Sequence, residues 1–364
     1  MLIHDVIQHL LNILETKGFK ASVHFELEGV CELRSEHKKL DYISINKTLA
    51  KLNIDGELKS EYWKNQWEFV SLFNGQSPLK EAQNLDHAMR VLPALMSQYG
   101  ASKVMMSPVA WGADKGRYVH GSGAIFSLDT RSVHIPNAIQ MNVSVKNHQG
   151  ENLFAQQGLG EWIQYELLVN SYACCLLFLP EEDAFKRLAL RQDYGLDAEL
   201  SSPVVLSGGH QGSIALYKEI GKHNQAMGLE PLFFAVDNSV LHYAGDWRKT
   251  ARVEHRIGAT SKNYDPYLNM LFILINVLEG ISKWQQAELL PNFKDKPLPT
   301  SLYDQHSKQD GQEKLGALSL FKNDSWFADK IDYYCQGMPN HKGIGLGVKL
   351  KEIMLSKYQL KVIL

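Results

Sequence analysis

The chemically most distinctive residues of this sequence are two arginines and a glutamate that alternate along one short segment. Arg252, Glu254 and Arg256 are two residues apart, so in a β-strand their side chains point to the same face. Glutamates that hold divalent metals, together with arginines, can offset the negative charge of phosphate and carboxylate ligands. An ordinary surface strand with a salt-bridged glutamate would show the same pattern, because three residues specify little.

A second segment carries a comparable set of polar side chains. Residues 20–33 alternate between polar and apolar character, which predicts a strand with one polar face. Three residues share that face as far as Gly29: His24, Glu26 and Glu28. A bulge or bend is expected at Gly29, before Glu32. Glutamates on a half-buried strand are otherwise simply solvated, so a functional site is one of two interpretations.

Helices are expected to hold these strands in place. Asp265 and Pro266 are typical of a helix N-cap followed by proline in the first turn. The next residues, 267–278, are apolar almost all round, which predicts a buried helix directly after the arginine strand. Residues 4–17 have apolar side chains at helical spacing and are followed by Gly18, which predicts a core-facing helix.

The composition limits the class of protein. The chain has 364 residues, of which 45% are hydrophobic and 21% charged, and its formal net charge is −2. This balance is typical of a soluble globular protein and offers no basic surface for nucleic acid or an anionic membrane. No apolar run spans a bilayer, the N-terminus does not resemble a signal peptide, and the four cysteines lack metal-ligand spacing. We therefore expect a cytoplasmic protein that binds neither nucleic acid nor membrane.

The arginine strand and the helix after it resemble the end of the catalytic domain of glutamine synthetases. In that family an R-x-E-x-R strand precedes a loop, the motif N-P-Y-L and an apolar helix that ends in G-I. The matching residues here are Arg252, Glu254, Arg256, Asp265, Pro266, Tyr267, Leu268, Gly280 and Ile281. The resemblance implies that Glu254 binds a metal ion, that Arg256 holds the reacting substrate groups, and that Arg252 belongs to the same catalytic set.

Earlier segments match the family in the same order. Glu26 and Glu32 are the best matches to two glutamates that bind one catalytic metal, and Glu28 is an alternative to Glu26. Gln140 and Asn142 stand where the family has two histidines, one of them a metal ligand and the other near the nucleotide. An amide oxygen can coordinate Mg²⁺, although it is a weaker ligand than a carboxylate.

Two further positions concern the substrates. Arg187 corresponds to the arginine that contacts the substrate carboxylate. Asn238 stands in place of one of two arginines that face the phosphates and the nucleotide. The resemblance therefore implies binding of ATP and of Mg²⁺ or Mn²⁺, with some of the family's charged groups replaced by neutral ones.

Other parts of the family's machinery have no counterpart in the sequence. The N-terminal β-grasp domain, which closes the neighbouring subunit's site in the family, is absent, and so is the first catalytic hairpin with its E-x-E metal ligands. Two segments, at about 34–86 and 189–230, have no family counterpart; the first is expected to be mostly helical. These insertions would supply replacement groups, with three histidines as possible ligands, although each alone is better explained as structural: His120, His134 and His242.

The sequence predicts an α+β fold: a single glutamine synthetase-like catalytic domain over residues 1–364, with a curved, mainly antiparallel sheet flanked by helices. The first functional hypothesis is a divergent ATP-dependent carboxylate–amine ligase that forms an acyl phosphate from a small-molecule acid before an amine attacks. The second is a catalytically inactive scaffold that binds a small molecule or a protein. The third is ATP-independent acyl transfer in the same funnel. Assembly into a homo-oligomer is left open.

Overall fold

The computed structural model describes most of the chain. The described residues are 2–61, 63, 65–72, 75–113, 133–190, 198–203, 213–221, 224, 226–234, 240–306, 313–338 and 345–359. For 229–234 and 240–244 only the backbone, which forms two strands, is described.

Nine helices lie within the described residues. They are α1 (Leu2–Thr16), α2 (Tyr42–Lys51), α3 (Pro78–Gln98), α4 (Leu159–Ser171), α5 (Glu182–Leu188), α6 (Pro266–Gln285), α7 (Ala317–Asn323), α8 (Trp326–Tyr334) and α9 (Leu346–Gln359). In this part of the chain no helix is both long enough and apolar enough to cross a membrane.

The strands of the described residues are numbered in chain order. They are β1 (Phe19–Leu33), β2 (Gly56–Ser60), β3 (Gln66–Ser71), β4 (Ala101–Met105), β5 (Val109–Ala113), β6 (Val133–Pro136), β7 (Ile139–Asn147), β8 (Glu199–Leu200), β9 (Ile214–Tyr217), β10 (Leu229–Phe234), β11 (Val240–Ala244), β12 (Arg252–His255), β13 (Lys296–Pro297), β14 (Gln305–His306) and β15 (Glu313–Lys314).

Seven strands form one antiparallel sheet. Its order is β2-β3-β1-β7-β12-β9, and β4 pairs with the C-terminal part of β1. Side chains alternate between the two faces, so Val23, Phe25 and Leu27 of β1 are fully buried on one side. Helices α1 and α3 pack against β1, and α4 packs against β12. The other face of the sheet is polar. This arrangement confirms the predicted α+β class with a mainly antiparallel sheet.

Helix α6 lies at the centre of the helical layer, where α1, α3 and α4 pack around it. The Asp265 side chain accepts hydrogen bonds from the backbone N–H groups of Tyr267 and Leu268, both at 3.1 Å, and Pro266 occupies the first turn. Gly280 allows α4 to approach, because a Cβ there would lie 2.7 Å from Cγ1 of Ile163. The predicted N-cap and the predicted buried helix are both confirmed.

The bulge predicted at Gly29 is wrong. β1 pairs continuously with β3 through this residue, with Gly29 opposite Trp67, and the register shifts only between Glu32 and Leu33. A Cβ at position 29 would overlap the Trp67 ring. The glycine therefore makes room for an aromatic side chain from a distant segment, a second well-known use of glycine in strands.

The two segments predicted to be insertions contain strands at both edges of the sheet. The first contains α2 and the hairpin β2–β3 as well as the start of α3, so the expectation that it is mostly helical is only partly right. Of the second, the described residues include β9, which pairs with β12 at the opposite edge. The assignment of the whole chain to one domain with two insertions stays a prediction.

The buried His255 makes the stability of the core depend on pH. Its ring is fully buried between Phe178 and Phe272, with Nε2 3.1 Å from Oγ of Ser171. Burial lowers the pKa of His255 to about 3. Because an unfolded histidine has a pKa near 6.5, only the unfolded state binds this proton between the two values, and stability falls as the pH drops through that window. The loss is about 1.4 kcal/mol per pH unit.

We expect His255→Gln to remove this contribution from the pH dependence. The free energy of unfolding would be measured in urea for both proteins between pH 7 and pH 5. Over this range the wild type should lose about 2 kcal/mol more than the variant, because the unfolded histidine is only partly protonated at pH 7. Parallel curves for the two proteins would show that His255 does not stay neutral in the folded state.

Candidate functional site

The polar face of the sheet brings together side chains from three adjacent strands. On β1 and β7, Glu26 lies directly opposite Gln140. In the next row Asn142 lies opposite His24 on one side and Glu254 of β12 on the other. Opposed residues of an antiparallel pair share a face and have Cβ atoms about 5 Å apart. The pairing register therefore places these predicted site residues within reach of one another.

Asn142 links the acidic and the basic strands through its side-chain amide. Its Nδ2 donates a 2.9 Å hydrogen bond to Oε1 of Glu26, and its Oδ1 accepts a 2.7 Å bond from Nε of Arg252. The guanidinium of Arg252 also lies 5.0 Å from the centre of the Tyr217 ring on β9. Arg252 is thereby oriented by two neighbouring strands.

Gln140 lies between the two glutamates. With its amide nitrogen turned towards them, an orientation assigned from the hydrogen-bond network, it donates to Oε2 of Glu26 at 3.2 Å and to Oε1 of Glu254. With the amide turned the other way, its oxygen would join the two carboxylates as a third oxygen ligand. The side chains of the Glu26–Gln140–Glu254 cluster can therefore either hydrogen-bond to one another or offer three oxygen ligands to a cation.

Two arginines lie deeper in the site. Arg256 is held at the end of β12 by a backbone hydrogen bond to Ser213, and its Nε lies 3.6 Å from Oε1 of Glu254. Arg187 projects from α5, is 5% exposed, and donates from Nη1 to the carbonyl oxygen of Ile257 at 2.8 Å. Burial, with Arg256 adding to it, lowers the pKa of Arg187 to about 10. Two guanidinium groups near enough to interact electrostatically favour an anionic ligand.

Both arginines carry buried donors that nothing in the described part of the chain accepts. These donors are Nε of Arg187 and both Nε and Nη1 of Arg256. Buried N–H groups are normally hydrogen-bonded, because leaving them without a partner costs free energy. A carboxylate or phosphate group placed between the two side chains would satisfy them.

Glu28 lies beside these arginines. Its Oε2 accepts a 2.7 Å hydrogen bond from the backbone N–H of Ala138. Burial first, and then the nearby Glu61 and Glu68, raise the pKa of Glu28 to about 8, although Arg187 opposes the shift. Glu26, in contrast, contacts Gln140 and Asn142, so of the two alternatives Glu26 has the surroundings that suit a metal ligand.

The structure does not bring Glu32 into this site. Its carboxylate is more than half exposed and lies 3.2 Å from Nζ of Lys103. Because β1 runs on through Gly29, the six residues from Glu26 to Glu32 span about 20 Å. The expectation that these two glutamates bind one metal ion is therefore wrong.

The remaining predicted ligands are not part of the described site. His134 accepts a 3.0 Å hydrogen bond at Nδ1 from the backbone of Gly112 and packs against Trp111, on the separate β5–β6 ribbon. Asn238 and His120 lie outside the described residues, and only the backbone of His242 is described. Within the described residues, no group of three or more His, Cys, Asp or Glu side chains is placed to hold a metal ion.

Two features of the site were missed by the sequence reasoning. Lys59 and Glu68 extend the polar face onto the inserted hairpin, where Nζ of Lys59 lies 2.8 Å from Oε2 of Glu68. The alternation of polar and apolar residues in 66–71 was the signal for this strand. The buried Glu81 of α3 lies 3.2 Å from Nδ1 of His24, a pairing that no local pattern indicates.

A cleft of about 440 Å³ opens beside the cluster. Its lining includes His24, Glu26 and Asn142 on the sheet, and Lys146, Lys249 and Arg252 at the basic side. This volume is in the range of clefts that bind small molecules. The cleft therefore places the Glu26 carboxylate and a set of cations around one space.

Neither the family models nor the curated proteins include a match to this chain. Among solved structures, a novel glutamine synthase homolog matches with a TM-score of 0.60 and 14% identity over 97% of this chain and 71% of the other. Apo GmaS matches with a TM-score of 0.59 and 12% identity, over 98% and 73% of the two chains. A complex of GmaS with ADP matches with a TM-score of 0.56 and 13% identity, over 98% of this chain and 74% of the other.

At these identities the similarity shows the fold. The fold of this chain is glutamine synthetase-like, as the sequence resemblance predicted.

Gln140 provides a test of the cluster. Replacing it with Met removes the amide between Glu26 and Glu254 and leaves buried carboxylate oxygens without that donor. We expect Gln140→Met to lower the free energy of unfolding by about 1–3 kcal/mol. The measurement is urea unfolding at neutral pH.

The matched control is Ser144→Ala, which lies on the same strand and the same face but outside the cluster. We expect this variant to change stability by less than about 0.5 kcal/mol. Equal losses in the two variants would contradict the role given to Gln140.

Proposed function

We propose that this protein is an ATP-dependent ligase that joins a small-molecule carboxylate to an amine. In such a reaction ATP phosphorylates the carboxylate, and the amine then displaces phosphate to form an amide. The observation that supports the proposal most strongly is the pair Arg187 and Arg256, whose buried donors lack acceptors in the described part of the chain. They lie next to a row of carboxylates on the same face of the sheet.

The arginine pair would bind the carboxylate substrate and the negative charge that develops on it. The guanidinium groups are fixed by the Ile257 carbonyl and by Glu254, so they need little reorganisation when an anion arrives. Preorganised donors of this kind stabilise charge in a site that excludes water. The side chains also set the direction of the carboxylate, because a guanidinium fork binds two oxygens at once.

Glu26, Gln140 and Glu254 would hold one divalent cation. The chemistry of the donors fits Mg²⁺ or Mn²⁺, because two carboxylates and an amide oxygen are hard ligands on three adjacent strands. Mg²⁺ is often bound by one or two carboxylates, with substrate phosphates and water completing its coordination. When bound, the metal would neutralise charge on the phosphates.

The nucleotide would lie in the cleft beside the cluster. Asn142 and Arg252 are held towards this space by their mutual hydrogen bond, and Lys146 and Lys249 line its basic side. Cations at this position would offset the triphosphate. Asn238 lies outside the described residues, so its role near the nucleotide stays a prediction.

A second function has its own support. The described residues contain no group of three His, Cys, Asp or Glu side chains placed to hold a metal ion, and Gln140 and Asn142 can satisfy the carboxylate oxygens without a cation. These observations favour a glutamine synthetase-like protein that binds a small molecule or a partner without turnover. Measurements of nucleotide binding and of ADP release distinguish the two functions.

Nucleotide binding is the first test of the ligase proposal. Isothermal titration would measure binding of a non-hydrolysable ATP analogue with and without Mg²⁺, for wild type and for Glu254→Gln. We expect wild-type binding to require the metal, and the variant to bind at least about tenfold more weakly with Mg²⁺, because it loses one carboxylate ligand. Circular dichroism would show whether the variant is folded.

Absence of binding under every metal condition would overturn the ligase proposal. If the analogue binds, mixtures of acids and amines are screened for ADP release. Binding without ADP release from any mixture would favour the second function. Equal metal-dependent binding by wild type and Glu254→Gln would remove Glu254 from the site.

The arginine pair is tested separately, by anion-dependent stability. We expect inorganic phosphate to raise the Tm of wild type by about 2 °C more than that of Arg256→Met, because an anion bound between the arginines stabilises the folded state. Phosphate also stabilises proteins in general, so a control is needed. The control is Arg248→Met, because Arg248 is exposed and its Nη1 lies 3.4 Å from Oδ1 of Asp246, outside the arginine pair.

The Arg248→Met variant should respond to phosphate as wild type does. An identical response in all three proteins would show that phosphate does not use the arginine pair.

A further inference from the structure

The inserted hairpin extends the polar face beyond β1. Its two strands place Lys59 directly opposite Glu68, and Glu68 directly opposite Glu28. One row away, Val70 lies opposite Glu26. The hairpin thus adds an ammonium group and a further carboxylate to the acidic side of the site, where the resemblance to glutamine synthetases provides no counterpart.

Glu68 needs a positive partner. Its side chain is only 8% exposed, and a buried carboxylate is costly unless it is paired. The ammonium of Lys59 supplies the pairing at 2.8 Å from Oε2. The glutamates Glu68, Glu61 and Glu26 all act on Lys59 and raise its pKa, although desolvation opposes them.

The acidic side of the site consists of carboxylates that a divalent cation would otherwise attract. They are Glu26, Glu61 and Glu68; Glu28, whose pKa is raised to about 8, is largely protonated at neutral pH. Hard cations bind clusters of carboxylate oxygens, and their affinity rises with the number of charged ligands. A fixed ammonium group among these carboxylates lowers that affinity, because it offsets their charge and repels a second cation.

We propose that Lys59 is the built-in counter-cation of this acidic side and takes the place of a divalent metal ion there. The site then binds its metal only at the Glu26–Gln140–Glu254 cluster. The restriction of the metal to this cluster rests on the proposed function, whereas the role of Lys59 as a counter-cation does not. The inserted hairpin, on this view, replaces metal-dependent neutralisation with a covalently attached charge.

A surface salt bridge without further consequence is the simpler alternative. The Lys59 side chain is 58% exposed, and exposed ion pairs contribute little to stability. Stability therefore cannot separate the two views, whereas metal binding can. Lys103 and Glu32 form a suitable control pair, with Nζ and Oε1 3.2 Å apart. Lys103 is 60% exposed, much like Lys59, whereas Glu32 is 57% exposed, unlike the buried Glu68.

The experiment counts bound Mn²⁺ by electron paramagnetic resonance on the nucleotide-free protein. We expect Lys59→Met to bind one more Mn²⁺ per chain than wild type, or to bind it at least about tenfold more tightly, because the acidic side has lost its counter-charge. Lys59→Arg keeps the charge and should match wild type. Lys103→Met removes an equally exposed lysine from outside the site and should also match wild type.

Two further variants make the result decisive. Lys59→Gln keeps a polar side chain on the edge strand and should gain Mn²⁺ as Lys59→Met does, even if the Met variant folds poorly. Adding Glu68→Gln to Lys59→Met should abolish the gain, because the acidic side then has one carboxylate fewer.

Unchanged Mn²⁺ binding in both neutral variants would overturn the proposal. So would an equal gain in Lys59→Arg or Lys103→Met, or a gain that persists after Glu68→Gln. Because the count is made without nucleotide, substrate or turnover, it remains informative if the chain proves not to be a ligase. Failure of the ATP analogue to bind would affect the proposed function and leave this result unchanged.

Discussion

The whole site depends on the burial of one face of a continuous antiparallel sheet. Helices α1, α3 and α4 cover the apolar face of the central strands, and α6 fills the space behind them. Since successive side chains of a strand alternate between faces, this burial leaves every second residue of β1, β7 and β12 on the opposite face. A shift of one residue in the register would bury Glu26 and Glu254 among apolar side chains. Packing of the core therefore fixes the position of the charges.

Both edges of this sheet come from the two segments that the sequence predicts to be insertions. The hairpin β2–β3 lies at one edge with an acidic polar face, and β9 lies at the other, where Tyr217 packs against Arg252. These segments therefore modify the site directly. A long insertion in a surface loop would cost little free energy and change nothing else. Here the inserted strands continue the ladder, so their side chains join the rows of functional residues.

Much of the site could be predicted from the sequence because its signals are local. The alternation in 20–33 correctly placed His24, Glu26 and Glu28 on one face of β1, and that in 252–256 placed Glu254 with the arginines on one face of β12. The pairing through β7 puts both sets on the same face of the sheet. The predictions were wrong where contacts with residues distant in the sequence determine the local structure. Gly29 makes room for the Trp67 ring and does not form a bulge. The sequence near Gly29 gives no sign of this contact. Likewise, the contact of Arg187 with Ile257 joins segments 70 residues apart, and the approach of Arg187 to Arg256 follows from packing of α5.

The distribution of charge explains why neutral amides stand at the centre of the site. The Glu26 carboxylate lies on β1 and the Arg252 guanidinium on β12, on either side of β7. Direct contact between such groups would form ion pairs, and a buried ion pair is a poor starting point for binding another ion. On β7, between them, Gln140 and Asn142 separate the two sides while they hydrogen-bond to both. A histidine there would change charge near neutral pH, whereas an amide does not. The amides therefore keep Glu26 and Arg252 apart, so that the carboxylate stays available to a cation and the guanidinium to an anion.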